Sequence, residues 1–346
     1  MTPGSAPDGQ GRDWRVYRGD GTPHDGIADL PPPPPWRRFD PAEPGDPARA
    51  RRLGDLERAA SYRADEQVVD KVNAALQLRR PLLVTGKPGS GKSTLAYNIA
   101  YELRLGPVLY WPVSSRTTLE QGLYDYDAIG RVHETSLRRS APGAGGGAEP
   151  AGVPDIGRYV RLGPLGTALL PAERPRVLLI DELDKSDIDL PNDLLNVLEE
   201  GRFAIPELAR LPADQDEVEV MTAGDGRAVI RRGLVRCSTF PIVVITSNGE
   251  REFPLAFLRR CVRAAIEPPS RERLADIVEA HLGAGARAAG EEIIREFLDR
   301  RAQGDLATDQ LLNAIFLATS GSRPPETTLA ELVEAILRPL DVTRPA

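Results

Sequence analysis

A glycine-rich sequence at residues 86–93, GKPGSGKS, constrains the fold of this chain more than any other feature. It matches the pattern G-x-x-x-x-G-K-[ST] and lies between an apolar run and a segment with helical spacing. Glycines let backbone N–H groups turn toward phosphate oxygens, and the helix that follows adds the positive end of its dipole. The pattern therefore predicts a phosphate-binding loop between a strand and a helix. Its predicted binding residues are Gly86, Lys87, Pro88, Gly89, Ser90, Gly91, Lys92, Ser93 and Thr94.

Short apolar runs predict the strands of a sheet around this loop. They lie at residues 81–85, 107–111, 176–180 and 241–245. Runs that are apolar throughout are typical of strands buried on both faces, and their alternation with helices indicates a parallel sheet. Beyond Pro268-Pro269 the pattern predicts helices alone, at residues 271–281, 291–301, 308–318 and 327–337. The predicted fold class is therefore an α/β P-loop NTPase sheet sandwiched by helices and followed by a small all-helical lid.

Polar residues follow the ends of two of these predicted strands. The pair Asp181-Glu182 follows one strand, and Asn248 follows another. Because the carboxyl ends of parallel strands meet at one edge of a sheet, we expect these residues to face the phosphate-binding loop. Asp181 and Ser93 would hold Mg²⁺, Lys92 would reach the β- and γ-phosphates, and Glu182 would act as general base on water. Asn248 is predicted to bond the γ-phosphate or that water; the alternative is an Asn that caps the next turn.

Two arginines, Arg259 and Arg260, follow a short predicted helix at residues 254–258. A cation that reaches the γ-phosphate raises the rate of P-loop enzymes by roughly 10³–10⁵. Taken alone, such a pair would more simply be surface charge, so its interpretation depends on the other motifs.

Together, the loop at residues 86–93, Asp181-Glu182, Asn248 and Arg260 resemble the motifs of AAA+ ATPases, and the surrounding segments are similar to MoxR-like and dynein-related members. The resemblance implies Mg²⁺-dependent ATP hydrolysis in an oligomeric ring, often a hexamer, that remodels a client or co-encoded protein. It implies that Arg260 completes the ATP site of a neighbouring subunit. It also places Asp309 where the family usually carries a lid arginine, with Arg323 as a candidate replacement.

Other interpretations stay open. Asp309 and the Pro-rich N-terminal region favour a nucleotide-gated switch or adaptor with slow hydrolysis. A nucleic-acid motor or a GTP-driven restriction subunit is opposed by the net charge of −7, from 44 Lys+Arg and 51 Asp+Glu, and by the lack of a basic aromatic stripe. We expect a cytoplasmic protein without a membrane segment, because the sequence has no signal-like N-terminus and no apolar run of about 18 residues. Cys237 and Cys261 are too few for a disulfide framework.

Composition divides the chain into three predicted parts. Of its 32 prolines, 11 lie in the first 47 residues, which predicts a disordered Pro/Gly-rich tail at residues 1–57; a docking peptide is the alternative. The ATPase domain is predicted at 58–268, with a flexible insertion at 141–152 and a probable β-hairpin insert at 202–235. The lid is predicted at 269–346. In the family, such hairpins often face the central pore. Residues 124–131 resemble a family segment next to the pore, and their tyrosines would either grip a client or pack under a loop.

Overall fold

The structure is a computed structural model that describes residues 16–29, 62, 64–140, 155–302, 306–319 and 326–338. Its strands are β1 Leu82–Thr85, β2 Leu109–Pro112, β3 Tyr124–Tyr126, β4 Val160–Leu162, β5 Val177–Asp181, β6 Arg202–Ala204, β7 Glu217–Met221, β8 Arg227–Arg231, β9 Leu234–Arg236, β10 Ile242–Ser247 and β11 Val262–Ala265.

The helices of the α/β part are α1 Glu66–Leu78, α2 Lys92–Glu102, α3 Leu119–Leu123, α4 Ala128–Ser140, α5 Pro164–Ala168, α6 Leu190–Glu200, α7 Pro206–Ala209 and α8 Leu255–Leu258. The later helices are α9 Arg271–Leu282, α10 Ala284–Ala289, α11 Glu291–Arg301, α12 Thr308–Thr319 and α13 Glu326–Ile336. None of the helices in the described ranges is both long and apolar enough to cross a bilayer.

The main sheet is parallel and has the strand order β11–β1–β10–β5–β2. Its central strands are apolar on both faces, so that Leu83, Leu179 and Val244 are fully or almost fully buried between helical layers. This confirms the predicted fold class, including the order in which strand, phosphate-binding loop and helix follow one another. Strand β11 was not predicted, because Val262–Ala265 contains an exposed Arg263 and lies at the edge of the sheet.

A second sheet has the strand order β3–β4–β7–β8–β9–β6 and contains the predicted insert at 202–235. That insert holds four strands, β6 to β9, and the arms of its hairpin are β7 and β8. Val218 and Val220 face the core, whereas Glu217 and Glu219 point outward. The alternation of side chains along a strand therefore buries one face of this hairpin against the body of the protein.

The helices after residue 270 form a separate apolar cluster, in which Leu274, Phe297, Leu311 and Ile315 are fully buried. The predicted helices correspond to α9, α11, α12 and α13 within one residue at each end. The short helix α10 was not predicted, since its sequence AGARAA has no apolar periodicity.

Residues 16–29 correct the prediction that the chain is disordered throughout residues 1–57. Tyr17 is 0% exposed and packs with Val16 and Ile27 in the core cluster formed by α1 and α2. The side chain of Asn73 accepts hydrogen bonds from the backbone N–H groups of Val16 and Tyr17, at 2.7 and 2.9 Å. The hydroxyl of Tyr17 donates to Asn98 Oδ1. These contacts order a segment that its composition alone assigns to a tail.

The carboxylate of Glu102, at the last residue of α2, anchors the same segment. It is 0% exposed and accepts from the N–H groups of Arg18 at 2.5 Å, Gly19 at 3.1 Å and Gly21 at 3.3 Å. Gly19 and Gly21 have positive φ angles of 75° and 73°, which turn these N–H groups toward one anion. Without these hydrogen bonds, a buried negative charge at a helix C-terminus would be destabilising. The other residues of the predicted tail, the predicted insertion at 141–152 and Arg323 lie outside the described residues.

Candidate nucleotide site

The phosphate-binding loop connects the end of β1 to the start of α2 in a conformation that requires glycine. A Cβ atom at Gly86 would lie 2.5 Å from the carbonyl oxygen of Ile266. Gly89 has a φ of 72°, and a Cβ there would lie 2.7 Å from the Cα of Ala307. Ser90 Oγ is buried and has no hydrogen-bond partner among the described residues. A loop with no room for a Cβ atom at Gly86 or Gly89, and with a polar atom still to be paired, fits a phosphate-bearing ligand.

Lys92 is the first residue of α2 and its side chain is buried. Its Nζ donates to the carbonyl oxygens of Gly86 and Lys87, both at 2.8 Å, so the ammonium lies against the phosphate-binding loop. Burial lowers the pKa of Lys92, and the nearby carboxylates of Asp184, Asp181 and Glu182 oppose this shift. An anion that replaced the two carbonyl contacts would stabilise the charged amine more strongly than they do.

Ser93 and Asp181 lie side by side at the edge of the sheet. Ser93 Oγ donates to Asp181 Oδ1 at 2.6 Å, and Thr246 Oγ1 donates to the same oxygen at 2.7 Å. Tyr110 OH is 3.4 Å from Asp181 Oδ2. A hydroxyl next to a carboxylate is a hard oxygen pair of the kind that holds Mg²⁺ together with phosphate oxygens. Ser93 and Asp181 are therefore the residues that could hold that ion.

Glu182 lies beside Asn248, and each side chain contacts the other. Asn248 Nδ2 donates to Glu182 Oε1 at 3.4 Å, and Lys185 Nζ donates to Glu182 Oε2 at 2.8 Å. Glu182 has a φ of 61°, which is rare for a residue with a side chain, and its N–H is held by Thr246 Oγ1 at 2.8 Å. Strained conformations of this kind concentrate at functional sites. The carboxylate thus faces the site but is paired with both an amide and an ammonium.

Asp184 is a further residue of this site that was not predicted from the sequence. It is 3% exposed, and its Oδ2 accepts from the N–H groups of Asn248 at 2.9 Å and Glu250 at 3.1 Å. Its Oδ1 is buried without a hydrogen-bond partner among the described residues. Asp184 therefore fixes the backbone that carries Asn248. In the sequence, Asp184 is marked only by its position three residues after Asp181, and this position alone does not distinguish it from other acidic residues.

The lid closes one side of a cavity of about 550 Å³ above these residues. Thr308 Oγ1 donates to the carbonyl oxygen of Gly89 at 2.9 Å, which joins α12 to the phosphate-binding loop. Asp309 lines the cavity, so the lid presents a carboxylate at the position where the resemblance implies an arginine. A different lid cation, Arg273 of α9, lines the same cavity.

Arg273 and Tyr62 form a wall of this cavity that the sequence did not reveal. Arg273 Nη1 lies 3.1 Å from Asp65 Oδ1, and its guanidinium lies over the ring of Tyr62, 5.8 Å from the centroid. Burial raises the pKa of Tyr62 to about 12, which keeps its hydroxyl neutral. These residues are far apart in the chain, so no local pattern could have joined them.

Arg260 lies elsewhere. Its guanidinium pairs with the carboxylate of Glu199 on α6, with Nη2 3.4 Å from Oε2, and its Nη1 donates to Ala256 O at 3.1 Å. Among the described residues that line the nucleotide cavity, Arg260 is absent. The structure thus brings Lys92, Ser93, Asp181, Glu182 and Asn248 together but does not bring Arg260 to them.

The two tyrosines of the segment at residues 124–131 pack within the protein. Tyr124 is buried, its ring stacks on Phe203 at a centroid distance of 6.4 Å, and its hydroxyl donates to Glu207 at 3.0 Å. Tyr126 accepts a hydrogen bond from Arg131 at 3.1 Å. Both tyrosines therefore pack within the protein, as in the alternative interpretation, and the large apolar residue that this segment exposes is Ile129 on α4.

The fold and this site define a P-loop nucleotide-binding protein. A family model described as AAA domain, dynein-related subfamily, matches residues 81–261, which is more than half of the 346 residues. The chain therefore belongs to this AAA family. The match begins next to β1 and includes Lys92, Asp181, Asn248 and Arg260. The match supports an AAA+ ATPase, and members of this family generally use ATP and Mg²⁺.

Proposed function

We propose that this protein is a MoxR-like AAA+ ATPase that hydrolyses Mg·ATP in an oligomeric ring, with the hexamer as the expected form, in order to remodel or activate a partner protein. The proposed organisation is an ATPase domain at residues 58–268 and a lid at 269–346. The observation that carries the proposal is the convergence of Lys92, the Ser93–Asp181 pair and the Glu182–Asn248 pair on one cavity.

The contacts of each residue support a specific proposed role. Lys92 would exchange its two carbonyl partners for β- and γ-phosphate oxygens, and Glu182 would take the proton of the attacking water. Asn248 would hold that water against Glu182. When bound by Ser93 and Asp181, Mg²⁺ supplies charge neutralisation on the phosphate oxygens.

Glu182→Gln is the substitution that tests the proposed base. We expect ATP turnover to fall by roughly 10²–10⁴, the usual contribution of a general base, while the affinity for ATP is retained. The matched control is Glu250→Gln, an exposed glutamate in the same loop as Asn248. If Glu182→Gln keeps the turnover of the unchanged protein, the assignment of the base is wrong.

The position of Arg260 supports a site shared between subunits. A guanidinium that reaches the γ-phosphate is worth roughly 10³–10⁵ in rate, yet Arg260 pairs with Glu199 outside its own cavity. A neighbouring copy could supply the same side chain across a head-to-tail interface. Arg260→Ala should therefore abolish turnover and leave nucleotide binding unchanged; measurable turnover in an assembled ring would remove this assignment.

A second candidate function is a slow nucleotide-gated switch or adaptor. The ion pair between Glu182 and Lys185 favours it, because a paired carboxylate has to be released before it can accept a proton. If this pair limits the rate, Lys185→Ala should raise turnover by up to about fivefold, since exposed pairs contribute about 1 kcal/mol at most. Unchanged turnover in Lys185→Ala, together with stimulation by a co-encoded partner, would favour the remodelling function.

A further inference from the structure

A second cavity, which we call the α1–β10 pocket, opens at the opposite edge of the main sheet. Its volume is about 220 Å³. It is lined by Leu82 and Ile242, the first residues of β1 and β10, whereas the nucleotide site lies at the other ends of these strands. The pocket is therefore independent of the chemistry proposed above.

The walls of the α1–β10 pocket are apolar. They include Leu76 of α1, Phe240 before β10, and Ile27 of the N-terminal segment, each of which is buried. Because residues 16–29 supply one wall, the pocket exists in this form only while that segment is docked. An apolar cavity of roughly 150 Å³ already accepts a benzene ring, so this pocket has room for one aromatic side chain.

Positive charge predominates at the rim of the pocket. Arg79, Arg80 and Arg174 line it, against the single carboxylate of Glu173 among its described lining residues. Arg80 Nη1 donates to the carbonyl oxygen of Arg259 at 3.2 Å, which occupies one of its five N–H donors. The guanidinium of Arg174 is half-exposed and lies 3.7 Å from Asp25. Guanidinium groups present a planar fork that matches a carboxylate.

We propose that the α1–β10 pocket binds an acidic peptide segment of a partner protein, which inserts one aromatic side chain between α1 and β10 and places carboxylates against Arg79, Arg80 and Arg174. The arrangement of an aromatic anchor in an apolar slot with charged groups around it is that of an interface hot spot. Burial lowers the pKa of Arg79, so its guanidinium is already partly desolvated and an adjacent carboxylate would stabilise it.

The test uses the full chain and a fluorescein-labelled pentapeptide, Asp-Glu-Trp-Glu-Asp, in a fluorescence anisotropy titration. We expect saturable binding with a dissociation constant below about 1 mM that weakens with added salt. Replacing the tryptophan of the peptide by alanine should weaken binding at least about tenfold, because a large apolar side chain is no longer buried. The peptide Lys-Lys-Trp-Lys-Lys should not bind.

Two variants of the protein change different features of the pocket. Ala28→Trp fills the pocket from an exposed position on its rim and should abolish binding of the peptide. Arg174→Glu reverses a rim charge and should weaken binding by about fivefold or more. The control is Arg295→Glu, an equally exposed arginine on α11, which should leave binding unchanged. Thermal melts of all three proteins establish that each is folded, and either pocket variant alone is sufficient for the decision.

Several results would overturn the proposal. These are no saturable binding up to 1 mM peptide, equal binding of the alanine or lysine peptides, or unchanged binding in a folded Ala28→Trp or Arg174→Glu protein. If the peptide does not bind and Ala28→Trp instead changes the mass of the assembly in light scattering, the pocket is an interface between copies of this chain and the peptide proposal is wrong.

Discussion

The two ends of helix α2 bear polar clusters that differ in how completely their groups are paired. At its N-terminus, Lys92 and Ser93 face a cavity whose walls include Ser90 Oγ, which has no hydrogen-bond partner in the part of the chain that the structure describes. At its C-terminus, Glu102 is fully buried and receives N–H groups from the segment at residues 16–29. The first cluster can form further hydrogen bonds with a ligand. In the second cluster, the hydrogen bonds stabilise the fold. The difference predicts that substitutions at one end change function and at the other change stability.

The largest expected effect belongs to Lys92→Ala. Removing a charge-assisted contact to phosphate should weaken ATP binding by more than about 100-fold, while the melting temperature changes by less than about 3 °C. Titration with a fluorescent ATP analogue and a thermal melt measure the two quantities. Lys71→Ala, at an exposed position of α1, is the control and should change neither. A large loss of stability in Lys92→Ala would break the contrast between the two ends of α2.

Glu102→Ala should have the reverse outcome. It removes the acceptor for the N–H groups of Arg18, Gly19 and Gly21, which are buried or partly buried, so we expect the free energy of unfolding to fall by about 3 kcal/mol. Denaturant titration measures this change. The folded variant should bind ATP as the unchanged protein does. Glu331→Ala, on the surface of the lid, should alter stability by less than about 0.5 kcal/mol; an equally small effect at Glu102 would show that the segment is not held there.

Asp184→Asn sharpens the comparison, because Asp184 is buried like Glu102 but lies in the functional cluster. The variant keeps an oxygen that can accept from Asn248 and Glu250 but loses the charge that holds them. Turnover should fall about tenfold with ATP affinity within about twofold, as expected for a residue that positions Asn248. The control is Asp187→Asn, at an exposed position of the same turn. Parallel losses of affinity and turnover would instead indicate a direct contact with nucleotide.

The smallest expected effect concerns the cysteines. Burial raises the pKa of Cys261 to about 12, so near pH 8 its thiol is protonated, and the thiolate is the form that reacts. Native protein should therefore show little alkylation of Cys261 by iodoacetamide, and denatured protein should be modified fully. Mass spectrometry of the two samples measures this directly. Rapid modification of native Cys261 would contradict the burial of its side chain.

The residues around the N-terminus of α2 could be predicted from the sequence, because they lie at or next to the ends of apolar strands. Asp181 ends β5, Glu182 follows it and Asn248 follows β10, and the parallel sheet brings such strand ends to one edge. Asp184, Tyr62 and Arg273 could not be identified in this way, since their roles depend on tertiary contacts. Arg260 was predicted as a site residue from its place in the order of the motifs. In the structure it lies away from the nucleotide cavity of its own chain.

The contacts at the C-terminus of α2 could not be predicted from the sequence, because the residues that form them are distant in the chain. Tyr17 contacts Asn73 and Asn98, which are 56 and 81 residues away. The segment itself has few apolar residues and contains Gly19 and Gly21, a composition that is typical of a tail. Its order comes from buried side chains of α1 and α2 that satisfy its backbone. The short strands β3 and β4 were not predicted for a similar reason, since three residues are too few to show a period.

The most direct test of the proposed ATPase mixes two inactive variants. Glu182→Gln removes the base, Arg260→Ala removes the cation supplied to a neighbour, and each protein alone should hydrolyse ATP at least about 100-fold more slowly than the unchanged protein. In a ring assembled from equal amounts of both, about a quarter of the interfaces would combine an intact Glu182 with an intact Arg260. We predict that the mixture recovers turnover in about that proportion. A mixture as inactive as its components, in rings shown by light scattering to contain both variants, would contradict a site shared between subunits.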